Sequence, residues 1–275
     1  MTTTNPRSTM SREHGSRSLV AFFSLSFLIG WGALALLLVF ADQLEPHFGP
    51  PSGGHPIFVL AVYSPAIAAL VLVARRGGLA ALGGYLRRLT LWRMPAAWWL
   101  FLLLGIPALK YLSAAFNGTA GEFPFSPWYG VLAALLPVLL LGPVEEIGWR
   151  GYALPLLQRR FTPLVASLIL GALWGLWHLP AFLLGGTVQS QWSFGAFLIG
   201  ALALSVLMTP MFNAARGSIL IPALFHFQLN GPAWPDGQPW ENYVFAAAAV
   251  VMVLWKRDAF LSRDGAVTDL MAPAR

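Results

Sequence analysis

The chain has 275 residues, 57% of them hydrophobic and only 10% charged, with a formal net charge of +6 and no cysteine. A soluble domain carries about 25% charged residues, so this composition is that of a membrane protein. It excludes disulfides, thiolate nucleophiles and Cys-ligated zinc.

Eight apolar stretches follow one another, at 19–41, 56–74, 97–115, 128–147, 162–184, 193–212, 217–232 and 242–256. The first six are long enough to cross a bilayer, whereas the last two are short and interrupted by proline. The expected fold is all-α, a polytopic bundle of about eight transmembrane helices. Residues 19–256 would form the membrane domain, and 1–18 and 257–275 poorly ordered terminal tails. The first stretch is too long for a signal-peptide core and has no convincing cleavage site, so it reads as retained. Between the second and third stretches, "GLAALGGYLRRLTLWRMPAAWW" predicts an interfacial helix, with Arg on one face and Leu and Trp on the other.

Of the 17 Lys and Arg residues, all but Lys110 flank the stretches on one side of an eight-span arrangement. Arg7, Arg12 and Arg17 precede the first; Arg75, Arg76, Arg87, Arg88 and Arg93 follow the second. Arg150, Arg159 and Arg160 follow the fourth, Arg216 the sixth, and Lys256, Arg257, Arg263 and Arg275 the eighth. The opposite loops hold Asp42, Glu45, Glu122, Asp236 and Glu241 and no Lys or Arg. The positive-inside rule then predicts that both termini and the 75–96 and 148–161 loops are cytoplasmic. The basic balance therefore records topology, and the expected surroundings are membrane lipid, not nucleic acid. A cysteine placed at Arg87 should be shielded from an impermeant external reagent in intact cells. External labelling there would overturn this orientation.

An ionisable residue at the bilayer centre costs about 2.5–3.5 kcal/mol on insertion scales, so each one needs a reason. Three clusters stand out. "GPVEEIGWRGYALP" puts Glu145, Glu146 and Arg150 at the end of the fourth stretch. "LWGLWHLP" in the fifth holds Trp174 and His178, and "ALFHFQLNGP" in the seventh holds His226 and Asn230. A spacing of four residues puts both members of a pair on one helix face. Glu146 then faces Arg150, in the favourable Glu-then-Arg order, and Glu145, about 100° away, is left without a partner on its own helix.

Each cluster also has a structural reading. The first would be a helix-end ion pair, His178 a neutral imidazole on a backbone carbonyl, and His226 with Asn230 an interhelical hydrogen-bond pair. Trp174 and Trp177 read as packing residues, Asn213 and Gln228 as structural. His14, His47, His55 and Lys110 have no partner that spacing can name. Taken together, two His and a free Glu are the side chains that hydrolysis requires: a base for water and donors for an oxyanion. The five Asp residues (42, 236, 258, 264 and 269) lie outside the stretches, which argues against an aspartyl intramembrane protease. No GxSxG motif is present.

Three motifs carry a family resemblance. "EEIGWR", "WGLWH" and "HFQLN" resemble, in order, the EExxxR, aromatic-xxx-His and HxxxN motifs of the CPBP family, the CAAX-protease and bacteriocin-processing proteins, also called the Abi family. It includes the type II CAAX prenyl endopeptidases. Trp174 stands where the family often has Phe, and residues 1–127 carry no motif. The resemblance implies an intramembrane endopeptidase acting on a membrane-associated peptide or a prenylated protein. It implies that Glu145 activates water with His178 as helper, that His226 and Asn230 form the oxyanion site, and that Glu146 and Arg150 support the helix. The family is filed under metalloproteases. Glu145, His178 and His226 would equally make a His₂Glu site for a divalent metal such as zinc, with Asn230 outside the ligand set. Two other classes remain open on the residues alone: an immunity or scaffolding protein held together by the polar cluster, and a small-solute transporter using it as a proton relay.

One geometric tension remains. With straight helices, Glu145 lies about 25 Å along its span, near the cytoplasmic side, whereas His178 lies about 24 Å from that side.

Overall fold

The computed structural model describes residues 6–272, with side chains from Arg17 onward. Residues 1–5 and 273–275, the extreme ends of the two expected tails, lie outside the described residues. Among those described there are helices and turns and no strand. Six segments are long and apolar enough to cross a membrane: Arg17–Val39, Pro56–Thr90, Ala96–Asn117, Gly130–Gln158, Pro163–Leu183 and Phe194–Ala214. Two shorter apolar helices, Leu220–Leu229 and Trp240–Trp255, complete a polytopic all-α bundle.

Helix α1 (Pro6–Val39) begins ahead of the first apolar run, so residues 6–18 continue the helix instead of forming a loose tail. After the short α2 (Ala41–Phe48), α3 (Pro56–Leu86) packs along α1. Its start is fixed by Pro56 in the first turn and by the His55 imidazole, which accepts from the Ile57 N–H at 3.2 Å. At Gly77 and Gly78 the backbone leaves the helical region and α3 kinks. The expected interfacial helix is therefore the bent end of α3, a 3₁₀ turn at Arg87–Thr90 and an extended stretch, not a separate element.

Its arginines do not share one outer face, because Arg88 turns inward and is fully buried. Nε of Arg88 donates to the Gly217 carbonyl at 2.7 Å, and Nη1 to those of Gly151 at 2.6 Å and Leu270 at 3.2 Å. The C-terminal stretch that supplies Leu270 is not loose either. After α13 (Arg257–Leu261), residues 262–272 form a strap across this face. Gln158 Nε2 donates to the Val267 carbonyl and Arg159 Nε to that of Thr268, both at 2.8 Å, and the Ala272 N–H bonds Gly84.

The third span combines α4 (Ala96–Leu100), a π-helical turn and α5 (Ile106–Asn117). Lys110 on α5 has a partner after all: Nζ lies 2.8 Å from Glu241 and donates to the Leu229 carbonyl at 3.2 Å. This ties α5 to the end of α11 (Leu220–Leu229) and the start of α12 (Trp240–Trp255).

The fourth span is where the observed chain departs most from a straight helix. Helix α6 (Gly130–Leu140) has no buried residue, and the chain breaks at Gly142. Two causes coincide there. The residue before a proline is pushed out of the α region, and Gly142 adopts φ +58°, which only glycine does without strain. A 3₁₀ turn (Pro143–Ile147), a π-helical turn (Trp149–Ala153) and α7 (Leu154–Gln158) follow. Irregular backbone at membrane depth is tolerated where protein covers it, and Gly142, Pro143, Glu145 and Glu146 are all buried. Gly148 lets this segment lie against α3, since a Cβ there would stand 2.4 Å from the Pro65 carbonyl oxygen.

The span thus runs on to Gln158, and Arg150 lies inside it, not in a loop. This removes the depth conflict. Glu145 lies about 20 Å of chain before Gln158, and His178 about 22 Å after the start of α8 (Pro163–Trp177). Helix α9 (Leu179–Leu183) continues the fifth span, and α10 (Phe194–Ala214) packs between α8 and α12. One apolar core gathers Phe22, Tyr85, Trp149, Trp174 and Trp177; a second gathers Leu102, Met208, Phe225 and Phe245.

Candidate active site

The turn that begins at Pro143 carries Glu145 and Glu146, and the two carboxylates have different partners. Glu146 accepts from Arg150 Nη1 at 2.9 and 3.1 Å, as the i, i+4 spacing predicts. It also binds His226 Nδ1 on α11 at 2.8 Å. Glu146 and Arg150 are both 0% exposed, so this is a buried ion pair with a third member. Arg150 further lies with its guanidinium carbon 4.7 Å from the Trp174 ring centroid.

Glu145 is in no salt bridge among the described residues. It is not bare, however. The indole N–H groups of Trp149, at 3.2 Å, and of Trp174, at 2.8 Å, both donate to one oxygen, Oε2. Trp149 is four residues along the same segment, so the expectation that Glu145 lacks a local partner is corrected. Its partner is an uncharged N–H, which charge patterning does not count.

His178 sits where α8 gives way to α9, half-buried and ringed by Trp174, Trp177 and Phe197 at 5.6, 4.8 and 4.9 Å between centroids. Its Nδ1 is 2.8 Å from the Trp174 carbonyl. A carbonyl only accepts, so Nδ1 carries the hydrogen and Nε2 keeps its lone pair in the neutral ring. The same logic applies to His226, whose Nδ1–H donates to the Glu146 carboxylate and leaves Nε2 for other use. Asn230 caps the end of α11. A Cβ built on Gly142 would stand 2.2 Å from Asn230 Nδ2 and 3.1 Å from His226 Nε2. Those two nitrogens therefore converge on the break in the fourth span.

The four residues singled out from sequence are thus linked through two shared neighbours. Trp174 touches Glu145, His178 and the His226 ring (5.5 Å between centroids), and Gly142 faces His226 and Asn230. Among the described residues no group of three His, Asp or Glu side chains is arranged to hold a metal ion. Glu145 Oε2 accepts from two indoles and His226 Nδ1 bonds Glu146, which leaves Glu145 Oε1, His178 Nε2 and His226 Nε2 as the unoccupied donor atoms of the expected His₂Glu set among the described residues.

Comparison with known proteins bears on this arrangement. Residues 126–231, which contain all three motifs, match the family model described as Type II CAAX prenyl endopeptidase Rce1-like. A curated CAAX prenyl protease 2 from Methanococcus maripaludis is 34% identical over 187 residues, 62% of this chain. The chain is thus similar to the CAAX-protease family over its motif-bearing region. The match covers 66% of that relative's length, just under two thirds. Within the matched region the fourth span is broken at its first motif, the fifth carries the second motif at its α8–α9 junction, and the short α11 carries the third.

Proposed function

We propose that this chain is an intramembrane endopeptidase that hydrolyses peptide bonds of a membrane-associated protein or peptide by water activated at Glu145 and His178. The observation that carries this reading is a buried carboxylate outside any ion pair, joined through Trp174 to an imidazole whose Nε2 is uncommitted. A structural carboxylate in this setting would be expected to hold a cation, as Glu146 does.

The chemistry follows from the free atoms. Water held by Glu145 Oε1 and His178 Nε2 gives a proton to the carboxylate as its oxygen attacks the scissile carbonyl carbon. The carbonyl oxygen becomes an oxyanion, which accepts from Asn230 Nδ2–H and, in the imidazolium form, from His226 Nε2–H. Glu146 is the counter-ion for that imidazolium. The proton on Glu145 then passes to the departing amine as the C–N bond breaks. No step is assigned to a metal.

Both termini are assigned to the cytoplasmic side on the arginine asymmetry. The relative's name makes a prenylated CAAX protein the first substrate to test. Comparing membrane-fraction proteomes of cells carrying the wild type and Glu145→Gln should reveal an uncut precursor in the variant. Identical proteomes, together with no cleavage by the purified wild type, would defeat the proposal. Loss of proton-coupled flux in proteoliposomes would point to transport instead.

Gly142→Ala tests the oxyanion side. The added methyl meets Asn230 at a site whose positive φ already strains any L-residue. An ångström-scale displacement can reduce rate about 10²-fold, so kcat should fall by that order in protein that still purifies as a single folded species. Undiminished kcat would separate Asn230 and His226 from the reaction.

A further inference from the structure

Two indole N–H groups from different spans meet on one oxygen of Glu145. Trp174 Nε1 is 2.8 Å and Trp149 Nε1 3.2 Å from Oε2, and Glu145, Trp149 and Trp174 are all buried. A carboxylate has two oxygens and about four acceptor sites. Directing both donors to Oε2 breaks its symmetry and leaves Oε1 as the oxygen available to water.

The surroundings hold the two donors in place. Trp149 packs edge-on against Phe22 on α1 and against Trp177 on α8, at 5.5 and 5.8 Å between centroids. The main chain and ring of Trp174 are also committed, through its carbonyl to His178 Nδ1 and its face to Arg150. A tryptophan needed only for its bulk would not have to aim its one polar atom at a buried carboxylate that is in no salt bridge.

We infer that Trp149 and Trp174 are positioning residues for the hydrolytic step: their N–H groups fix which oxygen of Glu145 takes the proton from water, and Trp174 sets the His178 tautomer at the same time. This inference rests on the proposed hydrolytic role of Glu145. It goes beyond that role by giving the indoles a part in it. A phenylalanine at 174 would keep ring bulk and the carbonyl bond to His178, yet it would lose the hydrogen bond to Glu145.

The test uses full-length protein reconstituted in lipid. Trp174→Phe should lower kcat about 10-fold or more, with KM within about twofold, since the lost bond is to a charged group that acts in the transition state. Trp149→Phe, which removes the longer bond, should lower it less. Size is controlled by placing 3-benzothienylalanine at 174, which keeps the bicycle but has sulfur in place of N–H. It should lose as much as Phe, while 7-azatryptophan, which retains the N–H, should restore kcat.

A second readout needs no activity. Of the 12 indole ¹⁵N–¹H resonances, those of Trp149 and Trp174, assigned by the Phe variants, should move together in Glu145→Leu. Wild-type kcat in the benzothienyl variant would overturn the inference, and so would indole resonances that ignore the loss of Glu145. If the chain cleaves nothing but both indole signals respond to Glu145, the reaction assignment has failed, and the positioning role falls with it while the hydrogen bonds stand.

Discussion

Glu145→Gln should reduce cleavage about 10²–10⁴-fold, the range for loss of a general base, while the variant folds and purifies like the wild type. The selectivity follows from how the carboxylate is held. Both indole donors fall on Oε2, and a carboxamide oxygen in that position accepts both bonds. The amide nitrogen then occupies the place of Oε1. It carries hydrogens and cannot take one from water. No guanidinium is orphaned, because Arg150 pairs with Glu146. The check is kcat on the same preparation whose thermal midpoint and monodispersity are recorded. Wild-type cleavage by a fully folded Glu145→Gln would remove this residue from the reaction.

Glu146→Ala should fail in the opposite way, by loss of folded protein. Arg150 is 0% exposed and would lose the carboxylate that offsets its burial. Breaking a buried pair from one side costs about 3–5 kcal/mol, because the remaining charge stays desolvated. Arg150 has no reserve, as its Nε and Nη2 already have no hydrogen-bond partner among the described residues. Removing both charges in Glu146→Gln/Arg150→Met should recover much of the yield, since the uncompensated ion is gone. It should not recover cleavage to the same extent, because Gln offers His226 a weaker acceptor. Yield of monodisperse protein and kcat of the recovered fraction read the two effects separately. If Glu146→Gln proves inactive and well folded while Glu145→Gln cleaves, the two roles are reversed.

Much of the helical plan was legible because lipid demands long apolar runs, and each expected stretch other than the fourth overlaps an observed helical segment, although α1 begins earlier and α3 runs on to Leu86. The fourth misled for a physical reason. Glu145, Glu146 and Arg150 look like the polar end of a span when read as isolated charges, whereas in the fold they neutralise one another or find indoles and stay inside it. The Gly142–Pro143 break was written in the dipeptide itself. The partnership of Glu146 with Arg150 was legible from spacing, but that with His226, 80 residues away, was not. Lys110 and Glu241 are 131 residues apart and no local pattern pairs them. The strap escaped notice because backbone carbonyls make most of its bonds, and every residue has one.

Arg88 puts the fold of the arginine-rich face on a clock. Its three carbonyl partners lie 63, 129 and 182 residues further along the chain. At about 5–20 residues per second, Leu270 leaves the ribosome roughly 10–40 s after Arg88. Throughout that interval the guanidinium must stay with water or lipid phosphate, since burying it before its acceptors arrive would strand a desolvated charge. The α3 end therefore cannot lock down in the order in which it is made. The turn that carries Arg88 closes last, when the carbonyl from the late strap completes the face that an early arginine left open.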